Sequence, residues 1–507
     1  MAEIVPRWEW RTFGDSFGVA EGRFAAMEPT GVQESDELYL VSDTNANVKV
    51  RFDLMDVKVL VETDADGLEQ WRPIMKAQFP VPQAEVGRIF EALGIKTPAL
   101  SRDSYTLDQF TAELAPGAGL RPVRVHKRRV RYKVGGCTSE VTDVLADGIP
   151  TRTIAIESED AAAVVAAVKS MGLWDYLNTS YGKGLTAAID HKLPRYAVID
   201  VGTNSVKFHI GERQPEGTWK RVVDRAEMSR LGEGLEEHGS IQPEPLLRTA
   251  NAVKLMVEEA KNQGALAISA VGTAVFRIAT NRAEAVTAIK QASGVEVDVV
   301  SGEEESRLAY LAARSAAADN AASVVVFDTG GGSSQFTYGN GADVVDRFSV
   351  NVGAVSYTER YGLDKAVNPE VLGQALTTIR SDLSDLEGKP RPDTVVGMGG
   401  AVTNMTAVSK HMGQYDPDAI QGSVLAKSEI ERQIDMYRSM SADERRSVDG
   451  LQPKRAEVIL AGACIVKTIL DELGSSSFTV SDRGLRHGVL LERYSANQSP
   501  ASQEVNR

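Results

Sequence analysis

Along the first third of the chain, apolar and charged residues alternate with a period of two. Asn47–Phe52, Asp56–Val61 and Arg121–Val134 all show it, and such alternation predicts strands with one charged face. Helical periodicity is confined to short pieces around Ala84 to Leu93 and Ser158 to Met171. Residues 1–185 therefore read as a mainly antiparallel sheet domain.

Beyond a connector at 186–194 the pattern changes to strand, loop and helix in alternation, with apolar runs at Ala265–Val271, Glu296–Val300, Val324–Phe327 and Thr394–Val396. That order indicates an α/β region whose sheets are covered by helices. Two of its segments have the same form. Tyr196–Asp200 leads into Val201-Gly202-Thr203-Asn204-Ser205, and Val324–Asp328 leads into Thr329-Gly330-Gly331-Gly332-Ser333-Ser334. A duplicated lobe with a cleft between the copies is the simplest reading, placed at 195–320 and 321–496 before a frayed tail at 497–507.

Glycines let backbone N–H groups turn onto an anion, hydroxyls add donors, and a strand-end carboxylate can hold a divalent cation against phosphate. Gly202, Thr203, Asn204 and Ser205 are the candidates in the first loop, and Gly330, Gly331, Gly332, Ser333 and Ser334 in the second. A third loop, with Gly399 and Gly400, follows the apolar strand at Val396. Singly each is as readily a tight turn; three strand-to-glycine units with leading Asp200 and Asp328 point to phosphate.

In Ser301-Gly302-Glu303-Glu304-Glu305-Ser306-Arg307, Ser301 and Glu304 have the spacing of a capping box. Glu305 is not needed for that cap and shares a helix face with Leu308 and Ala312, as an inward general base would. Glu304 shares the face of Leu308 and Leu311, so spacing alone does not separate the two carboxylates. Arg277, at the end of a strand and loop, suits either a phosphate clamp or a surface ion pair.

Charge narrows the partners. A net charge of −14 over 507 residues argues against general binding to nucleic acid or acidic membranes, so any polyanion site must be a local basic patch. Lys127, Arg129, Arg131 and Lys133 share one strand face, as do Lys49 and Arg51 on another. Solvated faces are the plainer account; several such faces lining one barrel would make a polyanion tunnel. Only Cys137 and Cys464 are present, which excludes a disulfide framework and fits a reducing, cytoplasmic setting. Neither a signal-peptide core nor a membrane-spanning run is visible.

From Asp200 to Ser205, Ser301 to Arg307, Asp328 to Ser333 and Val480 to Gly488, the motifs resemble in order those of the Ppx/GppA (exopolyphosphatase/guanosine pentaphosphate phosphatase) family, over residues 195–492. The resemblance implies an actin-like, ribonuclease-H-like two-lobed phosphatase core that binds a phosphate chain and Mg2+, and a homodimer. It implies that Glu305 orients or deprotonates the attacking water, that Arg277 contacts phosphate, and that Asp328 helps place the metal, for which Asp200 is a further candidate as the matching strand-end carboxylate. Gln335 stands where the family commonly has a metal-side glutamate, and Ala401 where it has threonine. An amide can still coordinate through its carbonyl but brings no charge.

Residues 1–185 resemble the CYTH triphosphate-tunnel domain, an α+β antiparallel barrel, through Lys49-Val50-Arg51, Lys127-Arg128-Arg129, Ile154–Glu157 and Ser180-Tyr181. Its N-terminal signature is represented by Arg7-Trp8-Glu9-Trp10-Arg11, with Arg7 in place of a glutamate, and Ala155 also replaces an acidic residue. Basic strands with fewer carboxylates imply polyphosphate binding, by Arg11, Lys49, Arg51, Lys127, Arg129 and Arg131, more than cleavage. The expected function is thus a magnesium-dependent exopolyphosphatase acting on inorganic polyphosphate. Guanosine pentaphosphate hydrolysis, a weakly catalytic polyphosphate sensor and, more distantly, an actin-like sugar kinase are the alternatives.

Overall fold

The structure, a computed structural model, describes residues 6–203, 205–314, 323–341 and 343–495. Two compact units divide it: one runs to Asp298 and takes back the chain from Glu492, and the other is Val299–Leu491.

The first unit opens with the barrel. Its strands are β1 (Arg7–Gly14), β2 (Gly31–Val41), β3 (Ala46–Arg51), β4 (Leu54–Thr63) and β5 (Glu69–Gln78); then, past a small bridge of β6 (Val81–Pro82) with β7 (Ser104–Tyr105), β8 (Arg121–Val134), β9 (Cys137–Ala146) and β10 (Ile149–Ser158). They close in the order β1-β10-β9-β8-β2-β3-β4-β5. The period-two pattern now has a cause, because each strand shows one face to the lumen and one to a covering helix or water. Val48 and Val50 face outward onto Val86, Ile89 and Phe90 of the helix Gln83–Ala92.

Lumen faces change character along their length. Arg11, Glu37, Lys127 and Glu140 lie toward one end. Phe13, Val41, Val123 and Val144, at even spacing from them on the same strands, lie toward the other, packed against Tyr181, Leu185 and Ile189. The helix Tyr181–Ile189, capped by Ser180, therefore fills one end of the barrel. It also extends into the expected connector, leaving residues 190–194 to reach the next sheet.

That sheet comprises β11 (Arg195–Val201), β12 (Ser205–Arg213), β13 (Trp219–Met228), β14 (Ala265–Gly272) and β15 (Val297–Val299), in the order β13-β12-β11-β14-β15. The helix Pro243–Asn262 buries Val253, Met256, Val257 and Ala260. The segment after the barrel's last strand is built into this sheet: Tyr176 bridges Ala267, and the N–H of Leu177 donates to the Leu266 carbonyl at 2.8 Å. Asp175, wholly buried, accepts from Ser269 and from Arg493.

In the second unit, β16 (Ser323–Thr329), β17 (Ser334–Asn340), β18 (Asp343–Val350), β19 (Thr394–Met398), β20 (Val424–Ala426) and β21 (Ser477–Val480) pair in the order β18-β17-β16-β19-β21-β20. Hairpin followed by parallel neighbour thus repeats, β11-β12-β13 with β14 matching β16-β17-β18 with β19. The helix Ile459–Leu473 is apolar nearly all round and runs through the core of this unit, as such a helix must. Both cysteines are buried and free, and among the described residues no helix is long and apolar enough to cross a membrane.

Candidate active site

Both sheets turn their central strand into a glycine loop in the same way. Between β11 and β12 the Gly202 N–H donates to the Ser205 carbonyl at 3.1 Å; between β16 and β17 the Gly330 N–H donates to that of Ser333 at 2.9 Å. The antiparallel registers that follow set Asp200 opposite Lys207 and Asp328 opposite Gln335.

In the first unit the Asp200 side chain is buried, and the half-exposed Lys207 ammonium reaches its Oδ2 at 3.2 Å. Gly232, in the loop after β13, donates its N–H to the Thr203 carbonyl at 2.8 Å. A Cβ there would lie 2.3 Å from Thr203 Cγ2, so a glycine lets this loop close on the first phosphate loop. Arg277 is exposed on the short helix Ala274–Ile278 that follows β14. Asn204 lies outside the described residues.

In the second unit Gly330, Gly331 and Gly332 are exposed, Ser333 is half-buried and Ser334 is fully buried. The Ser334 hydroxyl donates to the Val352 carbonyl at 2.7 Å, so this candidate phosphate donor braces the loop from beneath. Gly353 packs against the same loop: its Cβ would meet the Gly331 carbonyl oxygen at 2.3 Å. The amides of Ala354 and Val355 donate to the carbonyls of Gly330 and Gly331 at 3.0 and 2.8 Å. The loop's carbonyls are thereby engaged by protein, which suits a loop whose amides serve an anion.

Gly399 has φ 102°, and a Cβ there would fall 2.7 Å from Asp328 Oδ1 and 2.6 Å from the Thr329 carbonyl oxygen. Only glycine lets the third loop pass this close to Asp328. Gly400 starts the helix Gly400–Ser409, and the Arg455 guanidinium lies where its Cβ would be, 2.6 Å from Cζ. Gln335 donates from Nε2 to Ser333 Oγ at 2.7 Å.

The helix Gly302–Arg314 carries the three consecutive carboxylates Glu303, Glu304 and Glu305 in its first turn. The Glu304 N–H donates to Ser301 Oγ at 3.1 Å, as expected of an N-cap, and the Glu304 carboxylate pairs with Arg307 at 2.7 Å. Glu303 pairs with Arg347 at 2.6 Å. Glu305, half-buried, is the next carboxylate on that first turn.

Most of the barrel's basic candidates have carboxylates beside them. Lys127 is 1% exposed and lies 2.7 Å from both Glu37 and the Tyr39 hydroxyl. Arg11 holds Glu9 at 2.8 Å and Glu140 at 3.3 Å, its strand opposite the small Ala155, and Arg129 meets Glu140 at 3.0 Å. Arg51 is 3.8 Å from Glu37. Burial alone would raise the Glu37 carboxyl, but Lys127, together with Lys49 and the Tyr39 hydroxyl, outweighs it and holds its pKa at about 2. Burial pulls the Lys49 ammonium down, against the opposing influence of Glu37. Arg131 is exposed and donates to Gln33 at 2.9 Å.

Lys207, Gly232, Gly353 and Arg455 were not singled out from sequence. Lys207 had a signal: it follows Asp200 at the interval by which Gln335 follows Asp328, visible once the two copies are aligned. The others come from distant segments and carry no local mark. Strand-end carboxylates, an amide oxygen and hydroxyls are hard donors, the set that suits Mg2+.

Residues 212–496 match the sequence profile of the Ppx/GppA phosphatase family. The chain belongs to that family. Exopolyphosphatase 2 of Mycobacterium tuberculosis is 29% identical over 319 residues, 59% of this chain and 98% of that protein. A guanosine-5'-triphosphate,3'-diphosphate pyrophosphatase of Photobacterium profundum is 28% identical over 307 residues, 60% of each chain. The similarity to a bifunctional 3-dehydroquinate synthase/phosphatase of Fusobacterium nucleatum, 28% over 313 residues, spans only 46% of that protein. The crystal structure of the Aquifex aeolicus Ppx/GppA phosphatase, type II variant, matches with a TM-score of 0.56 and 30% identity, covering 60% of this chain and 100% of that one. The two repeated sheets thus form an actin-like Ppx/GppA phosphatase fold, preceded by the closed barrel.

Proposed function

We propose that this Ppx/GppA phosphatase is a magnesium-dependent exopolyphosphatase that removes terminal phosphates from inorganic polyphosphate, and that the barrel binds the chain. The observation carrying the reading is the repeated hairpin, a strand-end aspartate before a glycine loop, whose second copy has its carbonyls engaged by protein and Gly330, Gly331 and Gly332 exposed. Amides of Gly330–Gly332 and the Ser333 hydroxyl take the oxygens of the terminal phosphoryl group. Gly202, Thr203, Ser205 and Arg277 bind phosphate in the first unit. Glu305 orients a water and accepts its proton as the water oxygen bonds to phosphorus and the bridging P–O bond breaks. Asp328 and Gln335, opposite each other in one hairpin, would hold Mg2+, which when bound neutralises charge building on the phosphate oxygens, and Asp200 is the matching carboxylate of the first unit.

The choice of polyphosphate is supported by the similarity to Exopolyphosphatase 2 over nearly that protein's whole length. Guanosine pentaphosphate is the second reading, favoured by the similarity to the Photobacterium protein. Phosphate release from long polyphosphate and from guanosine pentaphosphate, measured side by side with Mg2+, decides between them. Glu305→Gln is expected to lower release by ~10²–10⁴-fold; an unchanged rate would remove Glu305 from the reaction.

A further inference from the structure

We propose that Arg230 binds phosphate: its guanidinium takes the oxygens of one phosphate in a chain whose neighbouring phosphate is held by the first glycine loop. The inference rests on reading that loop as phosphate-binding. Arg230 has φ 50°, in the left-handed region that glycine and asparagine enter readily and an arginine rarely does. It also lies along the loop. Ser205 pairs with Met228 at the end of β13, and the Gly232 N–H donates to the Thr203 carbonyl at 2.8 Å, so the residues between run beside the glycine turn.

The backbone on both sides of Arg230 is fixed. Arg248 donates from Nε to the Ser229 carbonyl at 3.2 Å and pairs with Glu233 at 2.6 Å. Leu231 is wholly buried, and the Glu233 N–H donates to the Arg230 carbonyl at 2.9 Å. A backbone held this firmly in an unfavourable conformation is a mark of a functional position. Arg230 itself is exposed and, among the described residues, has no ion-pair partner, whereas Arg225 and Arg248 meet Glu259 and Glu233. Lys207, on the strand after the loop, already stands 3.2 Å from Asp200. An unpaired planar fork beside the glycine turn matches two oxygens of one phosphate.

The test is binding of an imido-bridged triphosphate, which resists hydrolysis, to the full chain by isothermal titration calorimetry, beside thermal melting of each variant. Arg230→Gly relieves the backbone and removes the cation, so it should weaken triphosphate binding by ~10-fold or more while raising the melting temperature by ~2 °C. Arg230→Lys, a point charge on the same backbone, should recover part of the affinity at the native melting temperature. Unchanged affinity in Arg230→Gly would overturn the inference and leave the phosphate reading standing. Weaker binding with a lower melting temperature would make Arg230 a brace for the loop and overturn the inference too. A triphosphate that the native protein does not bind, with or without Mg2+, would overturn the phosphate reading itself.

Discussion

The Asp200 and Asp328 hairpins share strand order, turn and register, and they differ in what stands across from the aspartate. Lys207 makes the first hairpin a carboxylate with its own counter-ion; Gln335 makes the second a carboxylate beside an uncharged acceptor and donor. Backbone geometry was thus kept in both copies while the electrostatics diverged.

Asparagine at each aspartate gives the largest expected separation. Asp328→Asn should lower kcat for phosphate release by ~10²-fold or more with no gain in KM. Asp200→Asn also lowers kcat, but it leaves the Lys207 ammonium available for phosphate, so KM should fall. Identical effects on both constants would show that the hairpins do one job.

The glycines that close on the loops come next. In Gly353→Ala the new Cβ meets backbone of the second loop at 2.3 Å, which side-chain rotation does not relieve, so a loss of about 3 kcal/mol in unfolding free energy is expected. In Gly232→Ala the contact at the same distance is with a methyl of Thr203, which can turn away; the loss should be nearer 1 kcal/mol. Denaturant titration of both variants compares how firmly each loop is held.

A buried version of the Asp200–Lys207 pair sharpens the contrast. Glu37 and Lys127 have side-chain exposures of 0% and 1%, whereas Lys207 is 46% exposed. The Glu37 carboxyl is depressed to about 2 from an ordinary value of 4.5, while burial lowers its partner Lys127 to about 7, so the Glu37 contribution is present between about pH 4.5 and 7 and is lost as pH falls toward 2. That shift corresponds to about 3 kcal/mol. Thermal melts from pH 6 down to pH 2 should therefore show a steeper acid loss in the native protein than in Glu37→Gln. The Asp200–Lys207 pair, whose ammonium end is open to water, is worth about 1 kcal/mol or less. Ser334→Ala, which removes a buried hydroxyl from the Val352 carbonyl, should cost about 1 kcal/mol and leave KM for phosphate unchanged.

Much of the fold was legible because its signals are local. The run Arg121–Val134 is one strand of those bounds, and the helices expected near Ala84 to Leu93 and Ser158 to Met171 occupy Gln83–Ala92 and Ala161–Ser170. Less of the candidate site was legible. Ser334 reads as one more loop hydroxyl until the pleat turns it into the core, and Gly353 and Arg455 enter through loop crossings that no periodicity records. Likewise the basic strand face at Lys127 was plain, but its carboxylate neighbours come from strands far away in the chain.

Sequence alone determined the strand-end aspartates, the glycine loops, the duplicated order of elements and the alternation that makes a barrel. Each follows from backbone conformation and side-chain period within a few residues. Tertiary structure decided that Glu303 meets Arg347 and Glu304 meets Arg307, which cations in the barrel are already neutralised, and that Lys207 and Gln335 occupy one structural position. Those outcomes depend on distances of a few ångströms between segments remote in the chain, and charge and hydrogen bonding act over those distances, not along the sequence.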